Sequence, residues 1–370
     1  MMDAQDLDRW HMRRALELAA QGRGSVEPNP LVGCVLARGA EIIAEGWHGR
    51  YGGPHAEIEA LSMAGRRAVG TTAYVTLEPC CHFGKTPPCT QALIAAGVSR
   101  VVAAMYDPFP EVAGKGAAEL AAAGIEVDVG VLEDDARWLN APYLKLIGAQ
   151  TPWVIAKWAM TLDGKIATRS GQSRWISSEA SRCVVHELRG RVDAVLVGSG
   201  TAVADDPLLT ARPAGPRQAV RVVFDSQATL PVTGRLVQTA GEAPVIVAAA
   251  DSAPADNRRR LAQAGCEVLS LTGNSHSERL IELLKGLGRR RMTNVLVEGG
   301  SRLLGLFLDT GQIDEVHAFI APRIVGGAAA PTPVAGSGVE RLLDALVLSQ
   351  PQWRTLGSDL YFSGRIFGVR

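Results

Sequence analysis

Short apolar runs alternate along this chain with stretches in which apolar residues recur at helical spacing. Residues 6–21 carry the first such rhythm and predict an opening helix, with Trp10, Leu16 and Ala19 on its buried side. Strands are predicted at 31–37, 42–45, 73–77, 101–105 and 125–129, the last two as buried strands. A Gly-Gly-Pro turn at 52–54 leads into a helical run over 55–64, and further helices fit 90–96 and 116–123. Strands and helices that alternate in this way predict an α/β layered sheet.

The rhythm breaks near residues 146–152, and a fresh apolar strand begins at Trp153. Two domains follow from this, over 1–147 and 150–370, each of ordinary domain size. In the second, strands are predicted at 192–198, 219–224, 245–249, 294–298 and 316–320. Helices fit 179–188, 257–264, 277–288 and 302–308. Gly198-Ser199-Gly200 begins a dinucleotide fingerprint, but Val203 stands where its third glycine belongs, which argues against a standard Rossmann site. Val297-Glu298-Gly299-Gly300-Ser301 takes a strand through glycines into a helix, where free N–H groups suit a phosphate, although the same residues also serve as plain turn chemistry.

Composition changes the picture only by exclusion. The chain has 370 residues and a formal net charge of zero, so there is no electrostatic case for nucleic acid or anionic membrane as a partner. Asp3, Asp6 and Asp8 near the start, with no apolar segment after them, give no secretory signal, and no apolar run reaches membrane-spanning length. Six cysteines are too few for a disulfide scaffold, and a reducing cytoplasm is expected.

The candidate chemistry of the first domain lies between Gly52 and Cys89. His55-Ala56-Glu57 is followed by Pro79-Cys80 and Pro88-Cys89. This is the pattern of a zinc deaminase of nucleobases, with one histidine and two cysteines as ligands and a nearby glutamate that is not a ligand. Three protein ligands leave the fourth zinc position for water. Bound zinc lowers the pKa of water towards neutrality, and Glu57 is placed to carry protons to the ring nitrogen and the leaving amine. Cys80 and Cys89 each follow a proline and are expected to open helices, where the dipole favours thiolate. Cys81 is expected to be an idle thiol, because adjacent side chains rarely face one point. Eight residues separate Cys80 from Cys89, whereas the general motif has two.

That longer loop, Cys80-Cys81-His82-Phe83-Gly84-Lys85-Thr86-Pro87-Pro88-Cys89, closely resembles the metal loop of the bifunctional riboflavin-biosynthesis deaminase–reductases. Pro28-Asn29-Pro30-Leu31-Val32-Gly33 and Gly46-Trp47-His48 resemble that family's earlier motifs. The stretches 157–165, 173–177 and 204–212 resemble motifs of its reductase domain, so the likeness spans nearly the whole chain. The resemblance implies a cytidine-deaminase-like α/β/α domain followed by a dihydrofolate-reductase-like α/β domain, with zinc and NADPH as cofactors.

It also implies roles residue by residue. Asn29, His48, His82, Lys85 and Thr86 would hold the substrate of the deaminase. Ala159, Trp175, Thr201, Asp205, Ser226, Gly299 and Gly300 would face NADPH. Ser173, Arg189, Leu209, Arg212 and Glu298 would face the substrate of the reductase, with the two arginines suited to a sugar phosphate. Lys157 would polarise or protonate the sugar. Taken singly, Arg189 and Arg212 equally suit solvated surface charges, Trp175 a core position and Thr201 a helix cap.

The expected reactions are zinc-dependent hydrolytic deamination of 2,5-diamino-6-(ribosylamino)pyrimidinone 5′-phosphate, then NADPH-dependent reduction of the ribosyl group to ribityl. The substrate is a small molecule, and the family likeness makes a homo-oligomer plausible. Two alternatives stand beside this reading. One is a small-molecule pyrimidine deaminase with a non-catalytic second domain, and the other is a zinc-stabilised structural module, which would need a fourth ligand.

Overall fold

The computed structural model describes residues 3–83 and 87–366. It divides into two compact units, Met1–Gln150 and Thr151–Arg370.

The first unit comprises, in chain order, α1 (Ala4–Ala20), β1 (Gly33–Arg38), β2 (Glu41–Trp47), α2 (Ala56–Ala64), β3 (Thr72–Val75), α3 (Cys89–Ala95), β4 (Arg100–Ala103), α4 (Lys115–Ala122), β5 (Glu126–Val129), α5 (Glu133–Leu139) and α6 (Ala141–Ala149). The sheet order is β2-β1-β3-β4-β5. β1 is antiparallel to both of its neighbours, and β3, β4 and β5 are parallel. Alternation along the strands makes the layers. Cys34, Leu36, Ala73, Val75 and Val101 pack with Ala56, Ala60 and Leu93 of α2 and α3. Their neighbours Val35, Ala37, Tyr74 and Val102 pack with Met12, Ala15 and Leu18 of α1.

Gly46 on β2 brings α2 close to the sheet. A Cβ there would stand 2.4 Å from the Ala56 carbonyl oxygen and 2.5 Å from the Ala60 nitrogen. This close approach seats the start of α2, and with it His55 and Glu57, at the strand ends.

The buried side of α1 differs from the one expected. Trp10 is exposed and Leu16 half-buried, while His11, Met12, Ala15, Leu18 and Ala19 face the sheet. That set follows the i, i+3, i+4, i+7 spacing of one helix face, which includes Ala19 as expected but not Trp10 or Leu16. β5 is a half-exposed edge strand, not a buried one. Cys89 opens α3 as expected, but Cys80 lies in a loop.

The second unit comprises β6 (Trp153–Thr161), α7 (Glu179–Arg189), β7 (Ala194–Gly198), α8 (Ser199–Asp205), β8 (Val220–Phe224), α9 (Arg235–Gln238), β9 (Val245–Ala250), α10 (Ala255–Gln263), β10 (Glu267–Leu271), α11 (His276–Arg289), β11 (Asn294–Val297), α12 (Ser301–Asp309), β12 (Glu315–Ala321), β13 (Leu348–Leu356) and β14 (Asp359–Ile366). The sheet order is β10-β9-β8-β7-β11-β6-β12-β14-β13. It is parallel from β10 to β12, and β14 and β13 add an antiparallel edge. Leu283, Leu287, Leu304 and Phe307 of α11 and α12 cover Val154, Leu196, Val222, Ile246 and Val295 of the strands.

A buried polar cluster ties β6, β12 and β14 together. Trp153 Nε1 donates to Glu315 Oε2 at 3.0 Å, and Arg365 Nε donates to the same oxygen at 3.2 Å. His317 bridges Glu315, at 2.8 Å, and the Tyr361 hydroxyl, at 2.6 Å. Burial alone would raise the Glu315 carboxyl, but the hydrogen bond and charge of His317, and then Arg365, outweigh it and hold the group at about 2.

Glu315→Gln is therefore expected to lower the stability of this unit by about 3 kcal/mol at pH 7. The folded-state pKa lies below the unfolded one. The contribution is thus fully present above roughly pH 5 and is lost as the pH falls through about 2. Calorimetric melts from pH 7 downwards should show variant and parent converging, and a gap that stays constant with pH would contradict this account.

Candidate active sites

In the first unit the strand ends and helix starts bring three donors together. His55 is the N-cap of α2, Cys80 follows β3, and Cys89 is the first residue of α3. His55 Nδ1 lies 3.3 Å from Cys89 Sγ and 3.5 Å from Cys80 Sγ. The three ligand atoms all fall within 4.8 Å of one another. Tetrahedral zinc, with bonds of about 2.0 Å to nitrogen and 2.3 Å to sulfur, sets its ligands about 3.5 Å apart, so this donor set fits zinc. Hydrogen bonding from Cys89, opposed by burial and reinforced by His55, holds the Cys80 thiol down to about 4, which favours the ligating thiolate. Cys81 turns away from the group, with its thiol 3.7 Å from the Glu111 carbonyl oxygen.

Glu57 is buried beside these thiols. Burial first, and the charge of Cys80 second, push its carboxyl up to about 7. His48 is also buried, its ring 5.4 Å from that of His55. Its Nδ1 bonds to the Pro54 carbonyl at 2.8 Å, and Asn29 Nδ2 meets its Nε2 at 3.2 Å. Burial lowers the His48 pKa, which keeps the ring neutral. His82 is half-buried and packs 5.9 Å from the Phe109 ring. Its buried Nδ1 has no hydrogen-bond partner among the described residues. Lys85 and Thr86 lie outside the described residues.

One positioning residue escapes sequence reasoning. Glu78, two residues before Cys80, accepts backbone N–H bonds from Asp107 (3.2 Å), Gly114 (2.9 Å) and Ala117 (3.0 Å). It pins the metal loop to the segment after β4, which carries Phe109. Its partners lie 29, 36 and 39 residues away in sequence, and no local pattern announces them.

In the second unit a cavity of about 1390 Å³ opens at the carboxyl ends of the parallel strands. Its wall includes Lys157, Ala159, Ser173, Trp175, Arg189, Thr201 and Asp205. Leu209, Arg212, Ser226, Glu298, Gly299 and Gly300 complete the set expected from the sequence. Trp175 is 62% exposed and so is not a core residue, and the Arg182 guanidinium stacks 4.7 Å from its ring centre. Thr201 lies inside α8 and does not cap it. Ser173 Oγ donates to Asp205 Oδ1 at 3.0 Å.

Three charges meet at the end of β11. Arg189 grips the Glu298 carboxylate through both Nε and Nη2, the latter at 2.9 Å, and Lys157 Nζ lies 3.6 Å from Glu298 Oε2. Burial opposes the charge on Glu298, but Arg189 and then Lys157 hold the carboxyl at about 2. Burial lowers the Lys157 pKa, and Arg189 adds to this while Glu298 opposes it. Arg189, expected to face the substrate together with Arg212, lines the cavity with its fork held by Glu298.

Two observations fit this cavity to a bound dinucleotide. Gly299 and Gly300 adopt φ of +111° and +47°, and a Cβ on Gly300 would stand 2.9 Å from Thr201 Oγ1, so only glycine leaves this floor open. Trp158 Nε1, on the wall, is buried with no partner among the described residues.

Comparison with known proteins identifies both units. A family model described as the cytidine and deoxycytidylate deaminase zinc-binding region matches residues 5–105, and one described as the RibD C-terminal domain matches residues 152–362. The riboflavin biosynthesis protein RibD of Actinobacillus pleuropneumoniae is 42% identical over 358 residues, which cover 96% of this chain and 94% of that protein. The same protein from Escherichia coli is 41% identical over 366 residues, covering 95% and 98%. The solved structure of Acinetobacter baumannii RibD, form 1, superposes with a TM-score of 0.86 at 36% identity, covering 98% of this chain and 100% of the other. That of a diaminohydroxyphosphoribosylaminopyrimidine deaminase/5-amino-6-(5-phosphoribosylamino)uracil reductase from Thermotoga maritima gives 0.84 at 35% identity, covering 99% and 100%. With a zinc-binding deaminase unit followed by a reductase unit of the NADPH-using type, the chain belongs to the RibD family of bifunctional riboflavin-biosynthesis deaminase–reductases.

Proposed function

We propose that the first unit, residues 1–147, hydrolyses the amine from a diaminopyrimidinone ribosyl phosphate, and that the second, residues 150–370, reduces the ribosyl group of the product to ribityl. The three-donor group with Glu57 beside it carries the first assignment. Zinc, when held by His55, Cys80 and Cys89, supplies a Lewis acid that makes water nucleophilic near neutral pH. Glu57 takes a proton from the attacking water and passes protons to the ring nitrogen and the departing amine, so that ammonia leaves as the carbonyl forms. Asn29 and neutral His48 line up as hydrogen-bonding groups for the pyrimidine. His82, whose buried Nδ1 has no hydrogen-bond partner among the described residues, joins them. Lys85 and Thr86 are assigned to the phosphate on the chemistry of their side chains.

In the second unit Lys157, Glu298 and Arg189 carry the assignment. NADPH, when bound along Ala159, Trp175, Thr201, Asp205, Ser226, Gly299 and Gly300, supplies the hydride. With hydride so supplied to the anomeric carbon, the bond from that carbon to the ring oxygen would break and the oxygen would need a proton. Lys157 donates that proton, because burial makes its ammonium a better acid. Arg189 holds Glu298 in place, and Glu298 in turn orients Lys157. Ser173, Leu209 and Arg212 complete the substrate side, with Arg212 free to meet the phosphate.

We further propose that the chain forms a homo-oligomer in the cytoplasm and needs no nucleic acid. β13 is an unpaired sheet edge with Trp353 exposed, and Leu342, Leu343 and Val347 beside it in sequence are exposed too. An exposed tryptophan on a sheet edge, with exposed apolar residues beside it, favours contact with another chain. The six cysteines are all free, as a reducing compartment requires. No described helix is long and apolar enough to cross a membrane.

Glu57→Gln should cut ammonia release by at least about a hundredfold, with zinc content and reduction of pre-deaminated substrate unchanged. Retained deamination would remove Glu57 from its role. Lys157→Met should lower the turnover of reduction by about a hundredfold or more and spare ammonia release, and equal turnover would leave the proton donor elsewhere. Sedimentation of the full chain should show an assembly that Trp353→Glu breaks into monomers. A monomeric parent would refute the oligomer.

A further inference from the structure

We propose that Asn140 and Tyr143, one turn apart at the start of α6, are positioning residues of the deaminase, which tie the segment carrying Asn29 and the segment carrying Phe109 to a single helix. The inference rests on the reading of the three-donor group as a deaminase and adds the part that keeps its substrate-binding groups in register.

Asn140 stands at the N-cap of α6, where a residue of its type usually accepts a backbone N–H of the first turn. It makes no such bond. Asn140 is 2% exposed, and its carboxamide reaches across 109 positions to Leu31 instead. Its Oδ1 accepts the Leu31 N–H at 2.8 Å, and its Nδ2 donates to the Leu31 carbonyl oxygen at 2.9 Å. Leu31 lies ahead of β1, before the ladder with β2 begins at Gly33. The carboxamide therefore takes the place that a peptide group of a neighbouring strand would have. Leu31 is two residues beyond Asn29, whose amide meets the His48 ring. The residue after it, Val32, accepts the His48 backbone N–H at 2.9 Å. One side chain thus fixes the backbone on which both Asn29 and His48 depend.

Residues three apart share a helix face, so Tyr143 emerges beside Asn140. Tyr143 is buried, and its hydroxyl donates to Asp107 Oδ1 at 2.9 Å. The same oxygen accepts the Phe109 N–H at 2.9 Å, and the Asp107 N–H goes to Glu78 Oε2 at 3.2 Å. The turn that sets the Phe109 ring against His82 is therefore held from two directions, by Glu78 from the metal loop and by Tyr143 from α6.

Apolar packing seats the helix independently of these bonds. Leu139, at the end of α5, packs on Ala19, Val26 and Leu31, and Leu144 packs on the core under α1. A buried hydrogen bond returns only modest net stability, whereas a small misplacement of substrate-holding groups can cost a hundredfold or so in rate. The return on these two polar side chains accordingly lies in placement.

Steady-state kinetics of ammonia release from a diaminopyrimidinone ribosyl phosphate by the full, zinc-loaded chain tests the assignment, with reduction of pre-deaminated substrate measured on the same preparations. Tyr143→Phe should raise the KM for ammonia release by about tenfold and change kcat by less than about threefold. Asn140→Asp keeps an acceptor for the Leu31 N–H but turns a carboxylate oxygen towards the Leu31 carbonyl, and should raise KM at least as much, by about tenfold or more. Zinc content and reduction should match the parent in both. Leu144→Ala, which loosens α6 without removing either bond, should lower the melting temperature and leave KM within about twofold. Should Asn140→Asp fail to fold, Tyr143→Phe, which removes one oxygen, decides alone. An unchanged KM in the folded variants would overturn the inference. So would a loss of activity that only tracks zinc content, or a rise in KM for Leu144→Ala equal to that for Tyr143→Phe, because the residues would then serve stability alone. A zinc-loaded parent that releases no ammonia would overturn the deaminase reading, and the inference with it.

Discussion

A carboxylate taken out of water must find a proton or a cation, and both sites of this chain are organised by that constraint. Glu57 and Glu298 are both largely shut away from solvent and are driven in opposite directions. Glu57 has thiols for neighbours, and burial with the charge of Cys80 pushes it up to about 7, where it can hold and release a proton. Glu298 has Arg189 and Lys157, which keep it at about 2 and therefore always charged. The first is suited to carrying a proton and the second to holding two cations in place. One residue type serves two chemistries because of what stands next to it.

The scaffold supplies those neighbours in the same way twice. In each unit the chemistry lies where strands end and helices begin, which concentrates side chains from distant parts of the sequence at one edge. Close backbone approaches make the placement firm. Gly46 lets α2 settle on β2, so that His55 and Glu57 reach the loop that carries Cys80 and Cys89. Gly299 and Gly300 clear the floor of the second cavity beside Thr201. Glu78 and Asp225 act less visibly. Glu78 spends its carboxylate on three backbone N–H groups and so fixes a wall of the deaminase site, and Asp225 spends its own on the Leu230 N–H and the Thr229 hydroxyl.

Much of this was legible in the sequence, for physical reasons that differ by feature. The period-two runs of the strands and the glycine turns are local, so the α/β layering and most elements could be read directly. The donors His55, Cys80 and Cys89 stand out because few other reasons put those residue types at that spacing. The family resemblance then named a set of reductase residues that the structure brings around one cavity. What escaped depends on contacts between distant residues. The pairing of Arg189 with Glu298 spans 109 positions and changes the part Arg189 can play. The buried face of α1 was misjudged because a tryptophan was taken as core when the helix turns it outward. The helices α5 and α6, the edge strand β13 and its neighbour β14 carry weaker patterns, since part of each faces solvent.

The central claim is that two chemically distinct sites act in sequence on one small molecule. The most direct test gives the full chain a diaminopyrimidinone ribosyl phosphate together with NADPH and follows ammonia and NADPH in the same reaction. This account predicts that ammonia appears first and that NADPH is consumed after a lag, once deaminated product has accumulated. NADPH oxidation that precedes ammonia, or proceeds without it, would contradict the account.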